Sequence, residues 1–232
     1  MYRVNDEFLE GSMNGLRDRA GAQSVRLSRV GAGAKRLLDL MAAVTFFVLF
    51  LPLFAVVAIG VRLTSPGPIF YAQDRIGQEG RTFRFYKFRS MLVDSDEVLS
   101  SFLDSDAEAK SEWDTYQKLE RDPRITWFGK FIRRTSLDEL PQFVNVLLGD
   151  MSLVGPRPCL PSQKSLYGKH WKVYCAVKPG LTGLWQVSGR NWLTYEQRVQ
   201  LDAKYVKNWS LWLDSKIMLR TISVVLTGNG SR

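Results

Sequence analysis

Histidine occurs once in this 232-residue chain, at His170, and cysteine twice, at Cys159 and Cys175. Two thiols are too few for a disulfide framework, and with a single histidine they cannot complete a Cys/His zinc site at the usual ligand spacing. Both thiols are expected to be reduced, and His170, in a polar stretch, reads as an ordinary surface histidine. The chain has no Walker-type run and no GxGxxG spacing, the two commonest sequence signatures of a nucleotide cradle. It also has no internal repeat and no low-complexity tract. Acidic residues are in deficit, 23 against 32 lysines and arginines, for a net charge of +9. That balance favours nucleic acid, anionic lipid or phosphorylated substrates as partners, and its sign does not choose among them. The length fits one domain plus an attachment.

Residues 1–33 mix Arg17, Arg19, Arg26 and Arg29 with Gly, Ser and acidic residues and show no sustained hydrophobic period, so they read as a flexible tail. A secretory signal is not expected, because the apolar run begins only at Leu40. From Leu40 to Val61 the chain carries no charge for twenty-two residues, which is long enough to cross a bilayer. Pro52 interrupts the run; it lacks an N–H and collides with the carbonyl of residue 48, so a kink or break is expected there. Both flanks are basic: Arg29, Lys35 and Arg36 precede the run, and Arg62, Arg75, Arg81 and Arg84 follow it. Since lysine and arginine favour the cytoplasmic side, a re-entrant hairpin over residues 34–64 satisfies both flanks, whereas a single span exports one.

Beyond Thr64 the composition is that of a soluble domain, residues 65–232, opened by the turn cluster Ser65-Pro66-Gly67-Pro68. The stretch TFRFYKFRS, residues 82–90, interleaves aromatics with cations and suits a strand at a charged apolar boundary, although a nucleic-acid stacking platform reads the same way. Residues 94–121 are acidic and predict solvated helices. Near the C-terminus, tryptophans and YVKNWSLWLDSKIMLRTISVVL suit either an interfacial helix or ordinary core packing. The expected fold class is mainly α with short β segments (α+β): a membrane helix-break-helix plus a catalytic domain with interfacial amphipathic helices.

The chemistry concentrates in RRTSLDELPQFVNVLLG, residues 133–149, where Leu140, Phe143, Val144 and Leu147 have helical spacing and Gly149 is a natural stop. Asp138 and Glu139 stand at the expected helix start beside Arg133 and Arg134. Asp138 could be an N-cap with Pro141 in the first turn, and Ser136 with Glu139 matches a capping box. Alternatively, two acids and two arginines within seven residues could hold a metal and a diphosphate, with the cations keeping Asp138 ionised and nucleophilic. Downstream, Pro156 and Pro158 bracket Arg157 and restrict the backbone on both sides of a guanidinium able to grip phosphate. Residues 178–191, KPGLTGLWQVSGRN, add glycines that let a backbone approach a ligand, and Arg190.

Taken in order, KRLLDL, the proline-interrupted apolar run, GPIFYAQDRIGQEGRTFRFYKFRSM, DPRITWFGKFIRRTSLDELPQFVNVLLGDMSLVGPRP and KPGLTGLWQVSGRN resemble the monotopic polyprenyl-phosphate sugar phosphotransferases, the bacterial sugar transferases, over roughly residues 35–225. The resemblance implies transfer of a hexose 1-phosphate from a UDP-sugar, UDP-galactose or UDP-glucose, to undecaprenyl phosphate, with release of UMP, as the first membrane step of exopolysaccharide synthesis. It implies Mg²⁺, a covalent phospho-sugar on Asp138, and Glu139 assisting at the metal. Lys87, Arg133, Arg157 and Arg190 match the family's phosphate- and nucleotide-binding positions, and Asp214 matches a late acidic position. It further implies residence at the inner leaflet of the bacterial cytoplasmic membrane with the catalytic domain on the cytoplasmic face, allows a homo-oligomer, and calls for no nucleic acid. One departure is Leu51-Pro52 at the break, where many members have Ser-Pro and a hydroxyl to satisfy a freed carbonyl.

Overall fold

In a computed structural model of the chain, which describes residues 29–116, 119–189 and 193–227, the apolar run lies inside a single helix, α1 (Arg29–Thr64). The helix-break-helix expected from Pro52 is therefore not observed as a break: α1 is 36 residues long and contains the proline. Proline removes one N–H rung and crowds one carbonyl, and the rungs on either side keep the helix going. At its end Thr64 Oγ1 donates to the Gly60 carbonyl at 2.8 Å. α1 is the one described helix long and apolar enough to cross a membrane.

The chain divides into two compact units that interleave in sequence. One holds the described residues up to Val48, Ala72–Phe85 and Gln142 onward; the other holds Leu49–Tyr71 and Tyr86–Pro141. The remaining elements are β1 (Phe70–Ile76), β2 (Thr82–Phe88), α2 (Ser95–Ser105), α3 (Ala107–Tyr116), α4 (Trp127–Arg134), α5 (Gln142–Leu148), β3 (Ser152–Val154), α6 (Trp171–Tyr174), β4 (Gly180–Thr182), α7 (Leu184–Ser188), α8 (Tyr195–Lys207) and α9 (Leu211–Thr227), with 3₁₀ segments at Gln78–Gly80, Leu137–Glu139 and Pro161–His170. Aromatic alternation predicted β2, and the acidic stretch delivers α2 and α3 as expected.

In the first unit β3 and β4 pair in parallel, Ser152 opposite Gly180 and Val154 opposite Thr182. The glycines of residues 178–191 serve this pairing: a Cβ on Gly180 would lie 2.1 Å from the Gly155 nitrogen, and one on Gly183 2.3 Å from the Gly155 oxygen. They allow backbone to meet backbone, where the sequence suggested backbone meeting ligand. Asp39 ties α1 to the pair, its Oδ1 accepting from Ser152 Oγ at 3.1 Å and Leu153 N–H at 2.9 Å. Arg36 donates to the Val146 and Leu147 carbonyls at 2.6 and 3.0 Å, a cation closing the C-terminal end of α5. Gly149, at φ +92°, ends that helix as expected. Leu153, Val154, Tyr205, Val206 and Ile217 lead the largest core cluster.

The second unit packs Val57 and Val61 of α1 against Phe88 and Ile132, with Phe54, Phe128, Leu137 and Leu140 around them.

Candidate active site

Helix α4 begins at Thr126, whose Oγ1 accepts from the Gly129 N–H at 2.8 Å, a side-chain cap for one orphan donor. Its last turn carries Arg133 and Arg134. The next residues do not continue a helix, and the helix expected to start at Asp138 and Glu139 starts at Gln142 instead. Ser136 adopts φ 59°, ψ 16°, a left-handed conformation uncommon outside glycine and asparagine, and turns the chain into the 3₁₀ segment Leu137–Glu139. Pro141 stands just before α5, where its missing N–H costs no helical bond. Asp138 is thus no N-cap, and Ser136 makes no side-chain cap bond. The capping reading gives way because a left-handed turn separates the acids from α5.

The turn buries Asp138 to 7% exposure and aims both acids at β2. Lys87 Nζ donates to Asp138 Oδ2 at 3.3 Å and to Glu139 Oε1 at 2.7 Å, one ammonium bridging neighbouring carboxylates. Arg133 Nε donates to Ser90 Oγ at 2.8 Å, two residues past the end of β2. Burial raises the Asp138 carboxyl above its ordinary range; Lys87 and Arg133 oppose that rise and the charge of Glu139 adds to it. Arg133 is exposed as a residue, yet desolvation of its guanidinium lowers its pKa, opposed by Asp138 and Asp122. Such a constellation can hold an anionic nucleophile beside two cations suited to phosphate. Lys87, from one motif, and Arg133, Asp138 and Glu139, from another, all belong to the second unit.

Similarity to known proteins decides the family. A family model described as bacterial sugar transferase matches residues 30–228. The chain is 50% identical over 197 residues to "UDP-galactose-lipid carrier transferase" of Erwinia amylovora, covering 85% of this chain and 41% of that protein. It is 47% identical over 198 residues to "Undecaprenyl-phosphate galactose phosphotransferase" of Salmonella typhimurium, covering 85% and 41%. With "Exopolysaccharide production protein ExoY" of Rhizobium meliloti it shares 44% identity over 202 residues, 87% of this chain and 89% of that one. The chain belongs to the bacterial sugar transferase family. It spans about two-fifths of the length of the first two relatives and nine-tenths of the third.

The other site residues expected of a bacterial sugar transferase lie elsewhere. Arg157 is in the first unit, at a cavity of about 180 Å³ lined also by Arg75, Arg198, Trp185, Tyr195 and Asp202. The Arg157 and Arg198 guanidiniums lie 5.8 and 4.8 Å from the Trp185 ring centroid. Burial lowers the pKa of Arg198, and repulsion from Arg157 lowers it further. Asp202, fully buried, has its carboxyl pushed well up by desolvation and accepts from Tyr167 OH at 3.2 Å. The sequence reading named Arg75 only as a cation flanking the apolar run and did not single out Arg198 or Asp202; the spacing of those two on α8 was the available signal.

Asp214 lies in the first unit. Its carboxylate accepts from Lys35 Nζ at 2.5 Å, Tyr205 OH at 2.7 Å and Trp209 Nε1 at 3.1 Å, contacts that fasten α9 within the first unit. Arg190 lies outside the described residues.

Among the described residues no group of three or more His, Cys, Asp and Glu side chains is placed to hold a metal ion. Magnesium commonly takes one or two carboxylates and completes its octahedron with water and substrate phosphates, and the adjacent Asp138 and Glu139 fit that donor set.

Proposed function

We propose that this chain transfers a hexose 1-phosphate from UDP-galactose or UDP-glucose to undecaprenyl phosphate at the cytoplasmic face of the membrane, the step that begins an exopolysaccharide repeat. The observation that carries the reading is the Lys87 ammonium bridging the buried Asp138 and the neighbouring Glu139. Two of the relatives carry galactose transfer to a lipid carrier in their names, and a third names exopolysaccharide production.

Asp138, ionised beside Lys87 and Arg133, attacks the β-phosphorus of the UDP-sugar. The bond from that phosphorus to the bridging oxygen breaks, UMP leaves with the electron pair, and an acyl phosphate joins Asp138 to the sugar phosphate. A phosphate oxygen of the polyprenyl phosphate then attacks the same phosphorus, and the Asp138 carboxylate is released as polyprenyl-diphospho-sugar forms. Lys87 and Arg133 stabilise negative charge as it gathers on the transferring phosphoryl group. Mg²⁺ held by Glu139 and Asp138 with the substrate phosphates would neutralise diphosphate charge. Arg157, with Arg75 and Arg198 beside it, supplies a cationic pocket for phosphate or nucleotide, and Arg190 is assigned to the nucleotide by resemblance. α1, dipping into the inner leaflet, brings the chain to its lipid substrate.

The test is UMP release from UDP-galactose and UDP-glucose with Mg²⁺ and undecaprenyl phosphate, and retention of radiolabelled sugar phosphate on an Asp138 peptide when the lipid is withheld. Discharge of that label on adding lipid completes the two-step route. Label on a different residue, or transfer with no trapped adduct, removes Asp138 as covalent nucleophile.

A further inference from the structure

Ser90 is a small residue that no sequence argument singled out, and three contacts converge on it. It follows β2, the strand of Lys87, and is 8% exposed. Its carbonyl accepts from the Thr126 N–H at 3.2 Å, at the cap of α4. A Cβ on Gly129, in the first turn of α4, would stand 2.0 Å from the same carbonyl oxygen, so only glycine lets the helix lie this close. Its hydroxyl accepts from Arg133 Nε at 2.8 Å, at the other end of α4. One serine thus grips both ends of the helix that carries Arg133, three residues from the lysine that holds Asp138 and Glu139.

An arginine side chain has several rotatable bonds, and holding it in one geometry costs rotamer entropy. A hydrogen bond at Nε fixes the guanidinium plane and leaves the Nη1 and Nη2 edge as a two-pronged donor. Among the described residues those two nitrogens donate to no protein acceptor. We propose that Ser90 is the positioning residue of Arg133, anchoring it through Nε so that its Nη1/Nη2 edge is presented end-on to the diphosphate of the nucleotide-sugar. The proposal rests on the transferase reading and deepens it by assigning what aims the phosphate-binding arginine. It commits to an orientation as well: with Nε engaged, the side-on Nε/Nη2 grip on phosphate is closed.

The experiment is a double-mutant cycle on the full chain in detergent or nanodiscs, with whichever of UDP-galactose and UDP-glucose the wild type turns over. Ser90→Ala removes the acceptor, and Ser90→Cys is nearly isosteric with a weak sulfur acceptor, so one folds if the other does not. Each should raise the KM for the UDP-sugar about tenfold, the scale of a lost hydrogen bond to a charged group. The KM for undecaprenyl phosphate and the melting temperature should stay near wild type. In an Arg133→Ala background, assayed at raised enzyme concentration, Ser90→Ala should have no further effect, because it acts only through the arginine. An equal penalty with and without Arg133 overturns the positioning role and leaves the transferase reading standing. No UMP release by the wild type from either UDP-sugar overturns the transferase reading, and the role of Ser90 falls with it.

Discussion

Asp138 must be ionised to act, and burial works against ionisation; its raised pKa sets the acid side of the pH dependence. The acid limb of kcat/KM is expected above the ordinary aspartate value of about 3.9, and a limb at or below that value would show that Lys87 and Arg133 outweigh burial. Stability carries the opposite sign. A group whose folded pKa is raised contributes stability that is full below its unfolded pKa and disappears as pH rises through the folded value. At neutral pH wild type therefore holds an ionised carboxylate that folding disfavours. Asp138→Asn should melt at the same or higher temperature than wild type at pH 7.5, lose that advantage below about pH 4, and be inactive at both. Melting curves at the two pH values check this, and a variant less stable than wild type at neutral pH contradicts it. At this scale the sequence was informative in two motifs, one holding Lys87 and the other Arg133, Asp138 and Glu139, since those four residues lie together in the second unit. It was uninformative where a role depends on distant partners. Asp214 looks like any acid in a helix until Lys35, 179 positions away, closes on it.

Helix α4 shows how one element delivers a site. Thr126 caps it, Gly129 lets it approach Ser90, and its last turn presents Arg133 ahead of the left-handed Ser136. Gly129→Ala would drive a methyl into a backbone oxygen that cannot rotate away, so it should destabilise by about 2 kcal/mol or more. It should also depress activity by moving Arg133 off its anchor. Thermal melts and UMP release test the two effects together, and a neutral substitution would mean that the close approach is not maintained in solution. The 3.6-residue period of Leu140, Phe143, Val144 and Leu147 predicted a helix starting at Asp138 and Glu139, and α5 forms over Gln142–Leu148. Only its start was misplaced, because a serine at φ 59° turns the chain into a 3₁₀ segment first, and no composition rule marks a serine for the left-handed region. The C-terminal stretch divides in the same way, α8 ending at Lys207 and α9 starting at Leu211. α9 joins both readings made for it: Leu213 and Ile217 are buried while Trp212, Leu219 and Ile222 are exposed. Trp185 is a core residue.

At the scale of the whole chain, α1 takes part in both units. Asp39, Ala43 and Phe46 are packed within the first, Phe46 stacking on Phe143 at 3.8 Å between centroids. Phe54, Val57 and Val61 are packed within the second. That division was not legible, because it depends on pairings between distant segments; the two basic flanks and Pro52 were. α1 is the one described helix long and apolar enough to cross a membrane. Between Phe46 and Phe54 only residues 47–53 remain, about 10 Å of helix, against a hydrocarbon core of about 30 Å. Val48, Leu49, Phe50 and Leu51 in that stretch are exposed apolar side chains. The proposal that α1 enters one leaflet rests on the basic flanks of the run and on this exposed apolar stretch, within which Pro52 lies. The expected outcome is that a single cysteine at position 24, replacing Ser24, resists a membrane-impermeant thiol reagent in intact cells and reacts after the membrane is opened, with Cys159 and Cys175 replaced beforehand. Pro52→Ala restores the missing N–H rung and should move a fraction of molecules to a spanning state, seen as labelling from outside. Efficient labelling of the parent cysteine variant in intact cells would establish a through-span and defeat the re-entrant reading.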